Sequence, residues 1–197
     1  KIIIGDENSN TTNLQILAGA GYAIYSTVAS EITVNNGLIV GKTYGIYSSN
    51  NSARVKIGAK YTRSSNLQIF SLSTSTSEYG IYTKSSVTFT CGFVGSAASK
   101  NFNASPNYPA NGGMYSSTIT YNGTTITGLI TGYAKIYSVY YGGLQAAVDS
   151  ITGTGTTPYI YLTANVNESV SISTSKNITI YLEGKTWNGG TGNALSI

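Results

Sequence analysis

The stretch NLQILAGAGYAIYSTVASEITVNNGLIVG at residues 13–41 decides the fold, because its short apolar segments return in the same order at residues 66–95. The later copy has NLQIF for NLQIL, YGIYT for YAIYS and VTF for ITV. Another copy of the middle segment, YGIYS, lies between them at residues 44–48. The apolar segments are kept while their connections vary, which is typical of solenoids, whose coils bury apolar positions on one another. The sequence therefore predicts coils of roughly 20 to 30 residues.

Composition favours strands and tight turns over helices. Charged residues make up 9% of the chain and apolar residues 41%, so it can bury a core and is not a charge-driven disordered chain. Thr, Tyr, Ile and Val fit a pleated surface, whereas Gly and Asn readily adopt turn conformations. We therefore predict an all-β protein.

Histidine is missing from the sequence, and Cys91 is its single cysteine. These two facts exclude a Ser-His-Asp or Cys-His nucleophile within the chain, an intrachain disulfide and a Cys/His metal site. We predict that Cys91 is a buried, inert thiol. No cofactor is expected.

Three parts are predicted along the chain, at residues 1–95, 96–132 and 133–197. The first is a series of short strands separated by turn residues. The second contains two of the three prolines, which disfavour a regular strand ladder, and then a loop and β-hairpin connection whose turn is Asn122-Gly123. The third opens with a short helix near residues 143–151 that caps the first coil of a second series of strands.

Positive charge is concentrated at Arg54, Lys56, Lys60 and Arg63, close to Tyr61. Arg54 and Lys56 share one face if this segment is a strand. That face is either a solvated surface or a patch for an anionic polymer. A recognised nucleic-acid-binding module does not accompany the charge, so nucleic acid is not an expected partner. The apolar runs are also too short to span a bilayer.

Residues 143–186 resemble the opening of a right-handed parallel β-helix. The segments that carry the resemblance are GLQAAVDSI at 143–151, YIYLTANVNESV at 159–170 and KNITIYLEGKT at 176–186. They are similar to the pectin-lyase-like surface proteins of Gram-positive bacteria, in which a short helix leads into such strands. The segments that carry the resemblance contain no catalytic motif.

The resemblance implies a solenoid in two segments. Residues 1–95 would be the C-terminal part of one β-helix, and residues 133–197 would be the start of the next. It further implies that Ile24, Ile46 and Ile81 form one inward column and that turn asparagines form side-chain ladders. Because the chain lacks an initial methionine and ends in a strand-like run, we expect it to be a segment of a longer protein.

The acidic residues are scattered and do not suggest an enzyme. They are Asp6, Glu7, Glu31, Glu78, Asp149, Glu168 and Glu183. Glycosidases use two carboxylates at a set separation, and lyases of the pectate type need clustered acids for calcium. We therefore predict no enzymatic activity and no catalytic or metal-binding residue. Gly19-Ala20-Gly21 and Gly153-Thr154-Gly155 are predicted turns, since neither completes a phosphate-binding pattern.

The 17 tyrosines carry the one ligand-binding hypothesis. Tyr44 and Tyr47 flank the inward Ile46, and the other copies have tyrosines at the matching places. Such columns either protect the coil by stacking or offer a platform for sugar rings. The candidate ligand-facing residues are Tyr44, Tyr47, Arg54, Lys56 and Tyr61. Trp187 is interpreted as a corner-packing aromatic, with a ligand contact as the alternative.

The expected function is that of a non-enzymatic structural or adhesive module that is extracellular or attached to the cell wall. Its loops or its tyrosine-rich face would meet a glycan or a host surface protein. The alternative is a carbohydrate-processing enzyme, either a polysaccharide lyase or a glycosidase, or the binding domain of such an enzyme. A third class is an assembly of the phage tail-fibre type, and the oligomeric state stays open.

Overall fold

The structure is a computed structural model that describes residues 1–8, 14–152, 157–173 and 175–197. Asn13 of the first repeat and the predicted turn Gly153-Thr154-Gly155 lie outside these residues. The described chain is mostly β with one short helix, and its sheets are parallel over most of their extent. The all-β prediction is therefore confirmed.

The first part of the chain folds into short strands. They are β1 (Ile2–Ile4), β2 (Gln15–Leu17), β3 (Tyr22–Ser26), β4 (Glu31–Val34), β5 (Gly37–Gly41), β6 (Tyr44–Ser48), β7 (Arg54–Ile57), β8 (Leu67–Ser71), β9 (Ile81–Thr83), β10 (Ser86–Phe89) and β11 (Gly92–Ser96).

A hairpin and a second series of strands follow. Their bounds are β12 (Tyr115–Tyr121), β13 (Thr124–Thr131), β14 (Ala134–Ile136), β15 (Val139–Tyr141), α1 (Leu144–Asp149), β16 (Tyr159–Leu162), β17 (Val166–Asn167), β18 (Val170–Ser171), β19 (Thr179–Tyr181), β20 (Trp187–Asn188) and β21 (Leu195–Ser196).

The strands β1 to β11 form three sheets that the chain visits in rotation. Sheet A has the order β1-β4-β7-β10, and sheet C has the order β3-β6-β9. In sheet B, β2, β5, β8 and β11 lie side by side. The pairs among these strands are parallel. Each return of the chain to a sheet therefore adds one strand beside the previous one, and we call β1 to β11 the three-sheet stack.

The registers align the inward side chains of successive strands. In sheet C, Ile24 pairs with Ile46 and Ile46 pairs with Ile81, as the resemblance implies. These isoleucines are 7%, 0% and 0% exposed, respectively. Matching columns in the other sheets are Ile32, Val55 and Val87 in sheet A and Ile39, Ile69 and Val94 in sheet B. The columns share one apolar core, in which each fully buried aliphatic side chain contributes roughly 1.5 to 3 kcal/mol.

The side chains of the turn asparagines after β4 bond to backbone carbonyls. Asn35 and Asn36 are both buried. Their side-chain amides donate to the carbonyl oxygens of Gly5 and Asp6, each at 3.1 Å. These two bonds tie the turn after β4 to the backbone that follows β1. The expectation of an asparagine ladder stays a prediction.

The proline-containing segment after β11 returns to the edge of the three-sheet stack. Phe102 pairs with Ile81, and Asn107 pairs with Thr88, each through a single parallel bridge. The segment therefore follows the outer edges of β9 and β10 without forming a regular strand there. Proline has no backbone N–H to donate, which is one reason why the ladder stays limited to single bridges.

The predicted hairpin is confirmed as β12 and β13, which pair antiparallel. Asn122 and Gly123 at its turn have positive φ values of 46° and 79°, as a two-residue turn of this kind requires. Strand β13 also pairs antiparallel with β11. Tyr121 and Ile126 pack with Phe70 on the outside of sheet B. The hairpin thus covers both the edge of β11 and an outer apolar surface.

After α1 the chain again passes through three sheets in rotation. Strands β16, β17 and β18 pair in parallel with β19, β20 and β21, respectively. The predicted helix is confirmed as Leu144–Asp149, and its buried Leu144, Ala147 and Val148 pack with Ile160 in a second core. Strand β14 pairs antiparallel with both β16 and β15, so β14 and β15 extend the sheet of β16 and β19. In the described residues, no helix has the length and hydrophobicity needed to cross a membrane.

Replacing Ile46 by alanine is expected to lower the free energy of unfolding by about 2 to 5 kcal/mol, because the closely packed column cannot fully close the cavity. Urea denaturation followed by circular dichroism measures this change. Ile3→Ala is the control, since Ile3 is 58% exposed and should cost less than about 0.5 kcal/mol. Equal costs for the two variants would contradict an inward position for Ile46.

Candidate functional site

The structure places the predicted ligand-facing residues in three separate regions. Tyr44 and Tyr47 lie on sheet C, whereas Arg54 and Lys56 lie on sheet A. Tyr61 follows β7 and packs against the second core, which lies in the third part of the chain. These residues are close in sequence, but successive strands belong to different sheets. The structure therefore does not bring them together into one site.

Six tyrosines form a cluster on the outside of sheet C, which we call the tyrosine face. They are Tyr22, Tyr25, Tyr44, Tyr47, Tyr79 and Tyr82. The ring centroids of Tyr25 and Tyr47 are 5.6 Å apart at an interplanar angle of 18°. Those of Tyr47 and Tyr82 are 4.8 Å apart at 9°. The faces of the Tyr47 ring are thus turned towards other tyrosines.

This stacking limits what the tyrosine face can bind. A sugar ring that stacks on an aromatic side chain needs a free ring face, and the ring faces of Tyr47 are occupied by its neighbours. Burial raises the pKa of the Tyr44 and Tyr47 hydroxyls, so both stay neutral at physiological pH. The geometry favours mutual stabilisation of the rings over a sugar platform.

Ion pairs partly neutralise the basic residues on sheet A. Lys56 Nζ lies 2.9 Å from Glu31 Oε2, and Lys1 Nζ lies 3.5 Å from Glu31 Oε1. The hydrogen bond from Lys56 lowers the pKa of the Glu31 carboxyl. Arg54 and Lys56 are exposed, and exposed ion pairs of this kind contribute little to stability. The arrangement favours a solvated surface over a patch for an anionic polymer.

Cys91 is fully buried, as predicted. Its Sγ lies 3.4 Å from the carbonyl oxygens of both Thr62 and Tyr140. Burial raises the pKa of the thiol, so the reactive thiolate form is suppressed. The environment of Cys91 is that of a packed side chain and not of a nucleophile.

A pocket of about 570 Å³ opens where the first part of the chain (residues 1–95) meets the third (residues 133–197), and we call it the junction pocket. Strands β17 and β20 form one wall, and the segment after β7 forms another. The lining residues that matter most here are Lys60, Tyr133, Asn165, Asn167, Glu168 and Asn188.

The Glu168 side chain makes three polar contacts at the junction pocket. Its Oε2 lies 2.8 Å from Lys60 Nζ, and its side chain is only 12% exposed. Its Oε1 accepts the backbone N–H groups of Leu144 and Gln145 at the start of α1. The hydrogen bond to Glu168 raises the pKa of the Lys60 ammonium. One carboxylate thus caps the helix and ties it to the first part of the chain.

Two adjacent glycines allow the first and third parts of the chain to approach closely. A Cβ atom on Gly142 would lie 1.8 Å from the carbonyl oxygen of Ala59, so a larger residue would push the segments apart. The backbone N–H of Gly142 donates to the carbonyl oxygen of Thr62 at 2.9 Å. Gly143 lies beside Lys60 and Glu168 and also lines the pocket.

Side chains of β17 and β20 supply the other polar groups of the junction pocket. Asn167 and Asn188 are register partners, so both project from the same face of this strand pair. Asn188 Oδ1 accepts the backbone N–H of Gly190 at 3.1 Å. Within the described residues, its amide nitrogen and the side chain of Asn167 make no hydrogen bond, and both side chains are exposed. Amide donors and acceptors are therefore available to a ligand.

Trp187 lies between two pocket residues in the sequence. Its indole Nε1 donates to the carbonyl oxygen of Glu168 at 3.0 Å, and its ring packs against the second core. This packing agrees with the interpretation of Trp187 as a corner aromatic, and the hydrogen bond ties its indole to the backbone of Glu168, which lines the pocket.

Sequence reasoning did not identify the junction pocket. In the sequence, Lys60 belongs to a basic segment and Glu168 is one of the scattered acids, and neither pattern indicates a pocket. The available signal was the pair Gly142-Gly143 immediately before the predicted helix, since adjacent glycines permit a close backbone approach. In the ranges that the structure describes, no three His, Cys, Asp or Glu side chains are grouped so that they could hold a metal ion.

Comparisons with known proteins do not identify a relative. The chain matches no protein-family model, no curated protein and no solved structure. The resemblance to pectin-lyase-like surface proteins therefore remains an expectation from the sequence.

Replacing Glu168 by alanine is expected to lower the free energy of unfolding by roughly 2 to 4 kcal/mol, because α1 loses its cap and Lys60 loses its partner. Glu168→Gln should cost less, since the amide oxygen can still accept the helix N–H groups. Thermal and urea unfolding measure both effects. Glu7→Ala is the matched control at an exposed acid, and a Glu168→Ala cost no larger than that control would contradict the assigned role.

Tyr47→Ala is expected to destabilise the protein by roughly 1 to 3 kcal/mol, because Tyr25 and Tyr82 both lose a stacked neighbour. Urea denaturation tests this expectation against Tyr137→Ala, a control residue whose side chain is 82% exposed. A neutral Tyr47→Ala variant that loses glycan binding would show instead that the tyrosine face is a ligand platform.

Proposed function

We propose that the chain forms part of a right-handed parallel β-helix in two segments and acts as a rigid, non-catalytic adhesive module at the cell surface. It would be extracellular or attached to the cell wall, with a glycan or a host surface protein as its partner. The observation that carries this proposal is the rotation of the chain through three sheets with unbroken parallel registers.

A right-handed winding is supported by the general preference of parallel strand connections. Crossovers between parallel strands of one sheet are right-handed in about 98% of cases, because a right-twisted strand packs back onto its sheet only in that sense. Here each return to a sheet passes through the other two sheets. The same rotation recurs after α1, which supports two segments of one architecture.

The environment of Glu168 favours a structural role over a catalytic one. Its carboxylate already accepts two backbone N–H groups and contacts Lys60. Glycosidases act with two carboxylates, and none of the described residues that line the junction pocket supplies a second one. The alternative of a carbohydrate-processing enzyme therefore receives no support from this pocket.

The proposal predicts binding without turnover. The protein should be retained on an array of glycans or of extracellular host proteins, and incubation with a retained polysaccharide should release no new reducing ends or unsaturated products. Release of either product would contradict a non-catalytic module. Failure to bind any glycan or host protein on the arrays would contradict the adhesive role.

A further inference from the structure

We propose that the junction pocket binds a short neutral saccharide. This inference rests on the proposed adhesive function and assigns to it a ligand class and a site. The pocket of about 570 Å³ lies within the range of roughly 300 to 1,000 Å³ that is usual for small-molecule sites.

The charges of the junction pocket favour a neutral ligand. Lys60 is the basic residue that lines the pocket, and its Nζ is already 2.8 Å from Glu168 Oε2. An acidic sugar or a phosphate would compete with Glu168 for Lys60 and would leave one negative charge without its partner. A neutral ligand leaves the ion pair intact.

The polar groups of the wall match sugar hydroxyls. Asn167 and Asn188 project side by side from strands that are about 4.8 Å apart in a parallel pair. An amide side chain offers donors and an acceptor, and a sugar hydroxyl also both donates and accepts. Neighbouring hydroxyls on one ring can therefore engage both asparagines.

Tyr133 adds an aromatic ring to the lining of the junction pocket. Aromatic side chains combine apolar surface with a polar end, which suits the mixed C–H and hydroxyl surface of a sugar. In contrast to Tyr47 on the tyrosine face, Tyr133 has no stacked aromatic partner among the described residues. Tyr133 is half-buried and packs against the second core, so its position at the pocket lining is fixed.

Trp187 makes the test specific to this site, because it is the single tryptophan of the chain. Its neighbours Thr186 and Asn188 line the pocket. The intact protein is titrated with soluble fragments of neutral β-glucan, xylan and mannan and, separately, with acidic oligogalacturonate. At least one neutral fragment is expected to change the tryptophan fluorescence in a saturable way, whereas the acidic fragment is not.

The double variant Asn167→Ala/Asn188→Ala is expected to weaken binding of that neutral fragment by about tenfold or more, since each lost hydrogen bond costs about 1 kcal/mol. Asn188→Asp keeps the acceptor for the Gly190 N–H but removes the amide donor, so it should also weaken binding while preserving the turn. Asn51→Ala, at an exposed asparagine outside the pocket, is the matched control and should bind normally.

The outcomes separate this inference from the adhesive function. If the arrays retain the protein but the pocket variants bind as well as the parent, the site is wrong and the adhesive function stands. The same conclusion follows if only acidic glycans or host proteins are retained. If the arrays retain nothing, both proposals fail.

Discussion

The parallel register between strands that are neighbours in one sheet is the constraint on which the rest of the structure depends. In a strand, neighbouring side chains point to opposite faces, so a slip of one residue would turn a buried column out to solvent. The pairing of Ile24 with Ile46 and of Ile46 with Ile81 prevents such a slip in sheet C. The two other sheets contain equivalent columns in the same core.

The edges of the three-sheet stack are covered by contacts that do not belong to the repeat. The hairpin of β12 and β13 covers the edge of β11, and the proline-containing segment follows β9 and β10. Between the first and third parts of the chain, Glu168 links Lys60 to α1. Gly142 permits close backbone contact with Ala59 there. The junction pocket arises at this boundary because an irregular connection replaces the regular stacking of strands. The proposed binding site thus lies where the repetition is interrupted.

Local patterns predicted the all-β class, the hairpin and the helix, because strand, turn and helix signals lie in neighbouring residues. Asn122-Gly123 predicted the hairpin, and the spacing of Leu144, Ala147 and Val148 predicted the helix. The inward isoleucine column was implied by the family resemblance. The contact between Lys60 and Glu168 could not be predicted in this way, since it joins distant segments through a single pair of side chains. The positions of Tyr44 and Tyr47 followed from the repeat, but the orientation of their rings depends on side-chain packing.

The rotation of the chain through three sheets is tested most directly by methyl NMR on protein labelled at the isoleucine δ1 methyl groups. The structure predicts nuclear Overhauser contacts between Ile24 and Ile46 and between Ile46 and Ile81, with Ile46 as the intermediate of the column. Contacts that join Ile24 directly to Ile81 and leave out Ile46 would contradict this order. The lack of any contact among the three methyl groups would contradict the parallel stack itself.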